Sequence, residues 1–175
     1  VYKGRQIIEV ATFRAGLNKN NTNIENDLIK DDAGKIIRDN IWGSIEDDCN
    51  RRDFTINAIY FCPINKTFKD FHDGIQHVKE KKVISIGDPL YRFEEDPVRS
   101  LRAMRFATKL NFKIDGKVKK AIYKKGDLLD GISNARLFDE FCKIFLNGYG
   151  YENFKKLESY GLSLIHISEP TRLVS

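Results

Sequence analysis

Cysteine is scarce. Cys49, Cys62 and Cys142 are odd in number and far apart, which excludes a disulfide framework and the closely spaced ligand quartet of a zinc site. A reducing, cytoplasmic setting is the default expectation. The three histidines, His72, His77 and His166, form no metal-ligand pattern, and His72 and His77 read as ordinary surface or loop residues. No apolar run approaches the ~20 residues a membrane-spanning helix needs. Residues 1–10 lack the basic start, apolar stretch and cleavage site of a secretory signal, and the natural start is expected upstream of Val1. No repeat with a period of roughly 20–50 residues marks a solenoid.

What remains is a foldable mixture. The 175 residues are 41% hydrophobic and 31% charged, enough to bury a core and unlike either collagen or a disordered chain. The length suits one or two small domains at ~100–200 residues each. Lys plus Arg number 30 and Asp plus Glu 25, a net charge of +5, which permits an anionic partner without requiring one. Residues 6–13 read as a strand rich in β-branched side chains, and 15–35, rich in Asn, Asp and Lys, as a mobile loop. Ser44, with Asp47 three residues on, opens a helix through an acidic variant of the capping box. That helix is expected to run through Arg51, Arg52 and Asp53 to Tyr60. Residues 67–71 and 83–86 read as short strands flanking a turn or short helix at 73–80. After Gly87-Asp88-Pro89 the period turns helical, over 95–110, 115–125, 134–147 and 150–160, with glycines between segments. A domain boundary is therefore expected near residue 88. Residues 163–175 break the helical period and look like a translated sequencing adaptor, so they are set aside as a non-native tail.

Three blocks hold residues suited to chemistry. Glu9 is a carboxylate in an otherwise apolar strand, which must be wet, paired or metal-bound; an edge strand and a metal-facing carboxylate both satisfy this. In Arg51-Arg52-Asp53-Phe54-Thr55-Ile56-Asn57-Ala58, a helix would stack Asp53 and Asn57 on one face, beside an apolar stripe of Phe54, Ala58 and Phe61. Guanidinium groups clamp phosphate oxygens, and Asp and Asn bond ribose hydroxyls; a solvated helix face with a local Arg–Asp pair is the plainer reading. In the third block Arg92, Glu95, Asp96, Arg99 and Arg102 share one helical side, and Phe93, Pro97, Leu101 and Met104 the other. Asp96 is expected to cap a helix with Pro97 at its first position. Beside Arg99 it can also read a base edge, Asp accepting from the adenine amino group and Arg donating to a ring nitrogen, with Glu95 orienting Arg99.

These blocks stand in one order with Ile8-Glu9-Val10-Ala11-Thr12-Phe13-Arg14, Arg38-Asp39-Asn40-Ile41 and Ser44-Ile45-Glu46-Asp47-Asp48. Together, from Gln6 to Leu162, the chain resembles the bacterial poly(A) polymerase and tRNA CCA-adding nucleotidyltransferase family. Glu95-Asp96-Pro97-Val98-Arg99, Ala135-Arg136-Leu137-Phe138 and Gly148-Tyr149-Gly150-Tyr151-Glu152 bring it nearer the poly(A) polymerase branch. The resemblance implies an α+β fold: the later part of a nucleotidyltransferase palm (1–87), then a helical neck (88–162) that binds the nucleotide base and RNA. It implies adenylyl transfer from ATP to an RNA 3′ end with two Mg2+ ions. Glu9 matches the third palm carboxylate, catalytic and near the metals. Asp53 matches a position that either acts in catalysis or holds the ribose. Arg52 and Asn57 match nucleotide contacts, and Glu95, Asp96, Arg99 and Arg102 belong to the base-reading block.

One departure is as informative. The family's palm carries Asp-x-Asp on a strand, and this chain has none: Asp31-Asp32 and Asp47-Asp48 are adjacent, which on a strand sends them to opposite faces. The metal-holding pair is therefore expected upstream of Val1, and the chain alone is expected to be inactive. CCA addition and a non-catalytic RNA-binding remnant are the alternatives. Lys117, Lys119, Lys120, Lys124 and Lys125 either attract RNA phosphates or form a solvated helix face; Tyr149 and Tyr151 either stack on bases or pack.

Overall fold

The computed structural model describes residues 2–3, 6–7, 9–15, 29–30, 36–38 and 42–162. Most of the 15–35 loop, Asp39–Ile41, His166 and the 163–175 tail lie outside the described residues. The fold is α+β, in two compact units, Val1–Arg52 and Asp53–Ser175.

In the first unit β1 (Tyr2–Lys3) pairs antiparallel with β2 (Gln6–Ile7), and β3 (Ile29–Lys30) with β4 (Ile36–Arg38). Among the described residues, the strand expected over 6–13 forms at Gln6–Ile7 alone. Residues 9–13 are irregular, because a strand persists only where a ladder partner satisfies its backbone groups. Here the next pairing is an isolated bridge between Arg14 and Trp42, with the Gly43 N–H donating to the Phe13 carbonyl at 3.1 Å. Glycine is required there, since a Cβ on Gly43 would lie 2.5 Å from the Ala15 nitrogen.

Helix α1 (Ile45–Arg51) opens on the expected capping box. The Asp47 N–H donates to Ser44 Oγ at 3.1 Å, and the Asp47 carboxylate accepts from the Ser44 N–H at 2.9 Å. The helix does not continue to Tyr60. It stops at Arg51, where Arg52 turns extended (ψ 161°). A single 3-10 turn at Thr55–Asn57 follows, then β5 (Ile59–Cys62). The Ile-Tyr-Phe run prefers a pleated surface, and a hairpin partner across the Pro63 turn overrides the helical period.

In the second unit β5 pairs with β6 (Thr67–Asp70), Phe61 opposite Phe68. Phe61 does not join the Phe54–Ala58 stripe: strand alternation turns it outward, 53% exposed, against the Phe68 ring at 4.9 Å. Asp70 then organises the next turn, accepting from the N–H groups of His72, Gly74 and Ile75 at 3.2, 2.9 and 2.8 Å. Helix α2 (Gly74–Lys79) follows, and β7 (Lys82–Val83) lies parallel to β8 (Lys113–Ile114). His77 is held by Thr55, Nδ1 to Oγ1 at 2.9 Å.

From Pro89 to Ser159 the described chain is mostly helical, β8 excepted. Helices α4 (Val98–Lys109), α5 (Gly116–Lys125), α6 (Asn134–Phe145) and α7 (Gly150–Ser159) occupy the expected segments, and α3 (Pro89–Glu95) is a further helix that precedes them, parted from α4 at Asp96-Pro97. Their apolar faces share one core with Phe54 and Val83. Phe93, Leu101, Met104, Ile122, Leu129, Ile144 and Leu157 are all fully buried in it.

Candidate functional site

The break between α3 and α4 creates the first cluster. Pro97 lacks an N–H and cannot continue α3, but its helical φ of −59° starts α4. Asp96 caps that start: its Oδ1 accepts from the Val98 N–H at 3.2 Å, and its carbonyl from the Arg99 N–H at 3.1 Å. Its Oδ2 accepts from Arg136 Nη2 of α6 at 2.7 Å, with Arg99 Nε 4.0 Å away. Arg99 Nη1 donates both to Glu95 Oε2 at 3.1 Å and to the Arg92 carbonyl at 3.0 Å. Glu95 Oε2 also accepts from Arg92 Nη1 at 3.0 Å. Burial and the neighbouring Arg99 charge push the Arg92 guanidinium down from its ordinary range, with Glu95 and Asp53 opposing. Glu95 Oε2 thus ties the Arg92 and Arg99 guanidinium groups together.

A second cluster surrounds Asp53, which is buried at 7% exposure. Its Oδ1 accepts from its neighbour's Phe54 N–H at 2.9 Å and from Asn57 Nδ2 at 2.8 Å. Its Oδ2 accepts from Arg102 Nε at 2.5 Å. Asp53 and Asn57 therefore do meet, through a 3-10 turn instead of an α-helical face. Arg102 reaches from α4 and continues the chain of charge: its Nη1 lies 3.8 Å from buried Glu140 of α6, which also faces Arg105 Nε at 3.3 Å and accepts from Lys143 Nζ at 3.1 Å.

In the first unit Glu9 is an exposed residue of the irregular stretch after β2. Arg52 is gripped by Asp48, its Nε and Nη2 donating to Oδ2 at 3.1 and 2.7 Å. Arg51 presents the same edge to Asp48 Oδ1, Nε at 2.7 Å. Asp48, 1% exposed, is thus an anchor for two guanidinium groups. Among the described residues no three His, Cys, Asp or Glu side chains gather to hold a metal ion. The described donor set, with Glu9 a lone exposed carboxylate, does not fit a two-magnesium centre.

The sequence patterns assign no site role to Arg136, Glu140, Arg105 or Asp48. Arg136 and Glu140 are four apart in a helical segment, so a shared face was legible; their partners, 40 residues away in the case of Asp96, were not.

Comparison with known proteins gives this geometry a context. Residues 1–84 match the family described as "Poly A polymerase head domain", and 111–170 that described as "Probable RNA and SrmB- binding site of polymerase A". Poly(A) polymerase I of Haemophilus influenzae is 44% identical over 91% of this chain and 35% of its own length. The CCA-adding enzyme of Lactococcus lactis is 43% identical over 58% of this chain and 25% of its own. A solved tRNA nucleotidyltransferase, complexed with a primer tRNA and an incoming ATP analogue, superposes with a TM-score of 0.66 at 32% identity, covering 73% of this chain and 38% of that one. All three are nucleotidyltransferases. The chain belongs to the poly(A) polymerase and tRNA CCA-adding nucleotidyltransferase family, and it spans about a third of the length of its curated poly(A) polymerase relatives.

Proposed function

We propose that the whole protein adds adenylate from ATP to RNA 3′ ends without a template, and that the Asp96–Arg99 couple reads adenine. The observation that carries this is the pinned guanidinium: Glu95 and the Arg92 carbonyl hold Arg99 by Nη1 while its Nε stays 4.0 Å from Asp96 Oδ2. A donor and an acceptor side by side match the adenine edge, which offers an amino donor next to a ring-nitrogen acceptor. Arg99 is 15% exposed and Asp96 21%, so both are shielded enough for bonds to charged groups to count for ~1.5–3 kcal/mol each. Asp53 and Asn57, locked together and braced by Arg102, are assigned to the ribose, and Arg52 to phosphate.

In the transfer, the RNA 3′-hydroxyl oxygen forms a bond to the α-phosphorus as the bond to pyrophosphate breaks, and the hydroxyl proton is lost. In-line positioning supplies much of the rate. The magnesium ions implied by the resemblance find no matching donor set among the described residues. The protein would act on RNA in a reducing, cytoplasmic setting, where its three free thiols persist.

CCA addition is the second reading, favoured by the Lactococcus relative and the tRNA-bound structure. The discriminating experiment is nucleotide incorporation by the full-length protein. ATP is expected to be used in strong preference to CTP. Arg99→Ala is expected to lower the ATP/CTP ratio by about tenfold, the loss of one charge-assisted bond, with RNA affinity unchanged. An unaltered ratio would remove the base-reading role. Incorporation of CTP as well as ATP would select the CCA branch.

A further inference from the structure

Asp53 and Asn57 meet because the chain makes a 3-10 turn at Thr55–Asn57. Thr55 lies between them, 3% exposed, and all its polar groups are engaged. Its N–H donates to the Ile84 carbonyl at 3.0 Å, and its carbonyl accepts from the Ala58 N–H at 3.1 Å. Its hydroxyl shares a hydrogen bond of 2.9 Å with His77 Nδ1, 22 residues on. The first two are backbone bonds that any residue but proline can make. The third requires this hydroxyl and this imidazole.

Helix α2 brings the imidazole there. Gly74, its first residue, lies against the turn: a Cβ on it would stand 2.4 Å from the Thr55 carbonyl oxygen and 2.8 Å from Ile59 Cγ1. Glycine is what lets the two backbones touch, and His77, three residues on, shares that face of the helix. Asp70 fixes the entry of α2, accepting from the Gly74 and Ile75 N–H groups at 2.9 and 2.8 Å. Close-packed backbones transmit a displacement instead of absorbing it. The Thr55 hydroxyl can donate to a neutral imidazole and accept from a protonated one, so the bond persists in either charge state. The pair is therefore a brace and not a pH switch.

We infer that Thr55 and His77 are positioning residues for ribose recognition: their hydrogen bond fixes the turn that presents Asp53 and Asn57 to the 2′-hydroxyl of the incoming nucleotide. The inference rests on the assignment of Asp53 and Asn57 to the ribose. A site built to bond a hydroxyl rejects the analogue that lacks it, because its polar atoms are then left unpaired. Such rejection needs those atoms held in place. Arg102 holds the Asp53 carboxylate from α4, and the Thr55–His77 bond holds the backbone that carries Asp53 and Asn57. A bond that served folding alone would, when lost, weaken the use of every nucleotide alike.

The test is incorporation of ATP, 2′-deoxy-ATP and CTP onto an oligoadenylate primer by the full-length protein, with kcat/KM determined for each. Thr55→Val keeps the branched shape and removes the hydroxyl. It is expected to lower the preference for ATP over 2′-deoxy-ATP about three- to tenfold, the loss of one hydrogen bond, with the ATP/CTP preference intact. His77→Ala is expected to match it, and the double variant to lose no more than either alone, since one bond is at stake. His77 is half-buried, so His77→Ala carries the test where loss of the Thr55 hydroxyl disturbs folding. Thr55→Ser and His77→Asn, which keep a bonding atom in place, are expected to restore the preference. An equal fall for all three nucleotides, or Thr55→Ser no better than Thr55→Val, would overturn the inference. Asn57→Ala separates it from the ribose assignment. If Asn57→Ala changes the ATP/2′-deoxy-ATP preference and the Thr55 and His77 variants do not, the positioning role alone falls. If Asn57→Ala leaves that preference as it was, the ribose assignment falls, and the positioning role with it.

Discussion

Glu140 is a carboxylate 4% exposed on the inner face of α6, with Arg102, Arg105 and Lys143 around it. A charge taken out of water is tolerated only with partners, and removing one partner strands the other. Arg105 is half-buried alongside it: its side chain is 12% exposed and leans on the Phe106 ring at 4.6 Å. Glu140→Ala is therefore expected to lower unfolding free energy by about 3–5 kcal/mol, read from the denaturant midpoint. Combining it with Arg105→Met is expected to cost less than the two separately, a coupling that a double-mutant cycle measures. A loss within ~0.5 kcal/mol, the usual size for a surface change, would show the cluster to be solvated. Sequence spacing alone was enough to bring Asp53 to Asn57 and Glu95 to Arg99, because both pairs are local. Arg102 meeting Asp53 across 49 residues depends on how α4 packs, which no local pattern encodes.

The short elements owe their ends to side chains. In α1 the reciprocal Ser44–Asp47 bonds satisfy backbone donors that the first turn leaves open, and seven residues are too few for a helix to hold by propensity. Ser44→Ala is expected to cost about 1 kcal/mol, with the Asp48 grip on Arg51 and Arg52 loosened as α1 frays. The Asp70 turn gives a pH signature. Burial pushes the Asp70 carboxyl up, but the N–H groups of Ile75, Gly74 and His72, with His77 nearby, outweigh it and hold it below the ordinary carboxylate value. A depressed folded-state value means stability that is present above the unfolded value and lost as pH falls through the folded one. Wild-type stability is therefore expected to fall below about pH 4 more steeply than that of Asp70→Asn, compared by denaturation at successive pH values; parallel curves would remove the role. Helix starts were legible here because Ser, Asp and Pro act locally. The end of α1 was not, since Arg51-Arg52-Asp53 has acceptable helical propensity and only the hairpin formed by β5 and β6 pulls the following residues away from the helix.

The second unit depends on a single apolar cluster that joins α4, α5, α6 and α7 to Phe54 and Val83. The order of its helices followed from period and glycine punctuation, because each apolar stripe must find a partner. Which stripes meet was not readable, since ridges pack into grooves only in three dimensions. This packing has a cooperative consequence. Leu101 is fully buried in the first half of α4, and both clusters of candidate site residues hang from that helix through Arg99 and Arg102. Leu101→Ala removes atoms that the surroundings cannot replace and is expected to cost about 2–5 kcal/mol. If the cluster is one cooperative body, hydrogen exchange will show the slowest amides of α4, α5, α6 and α7 losing the same protection together. Protection lost in α4 alone would mean that the helices open independently. The Asp96–Arg136 pair would then link two separately moving pieces, and the rigidity that the proposed base reading requires would have to come from elsewhere in the protein.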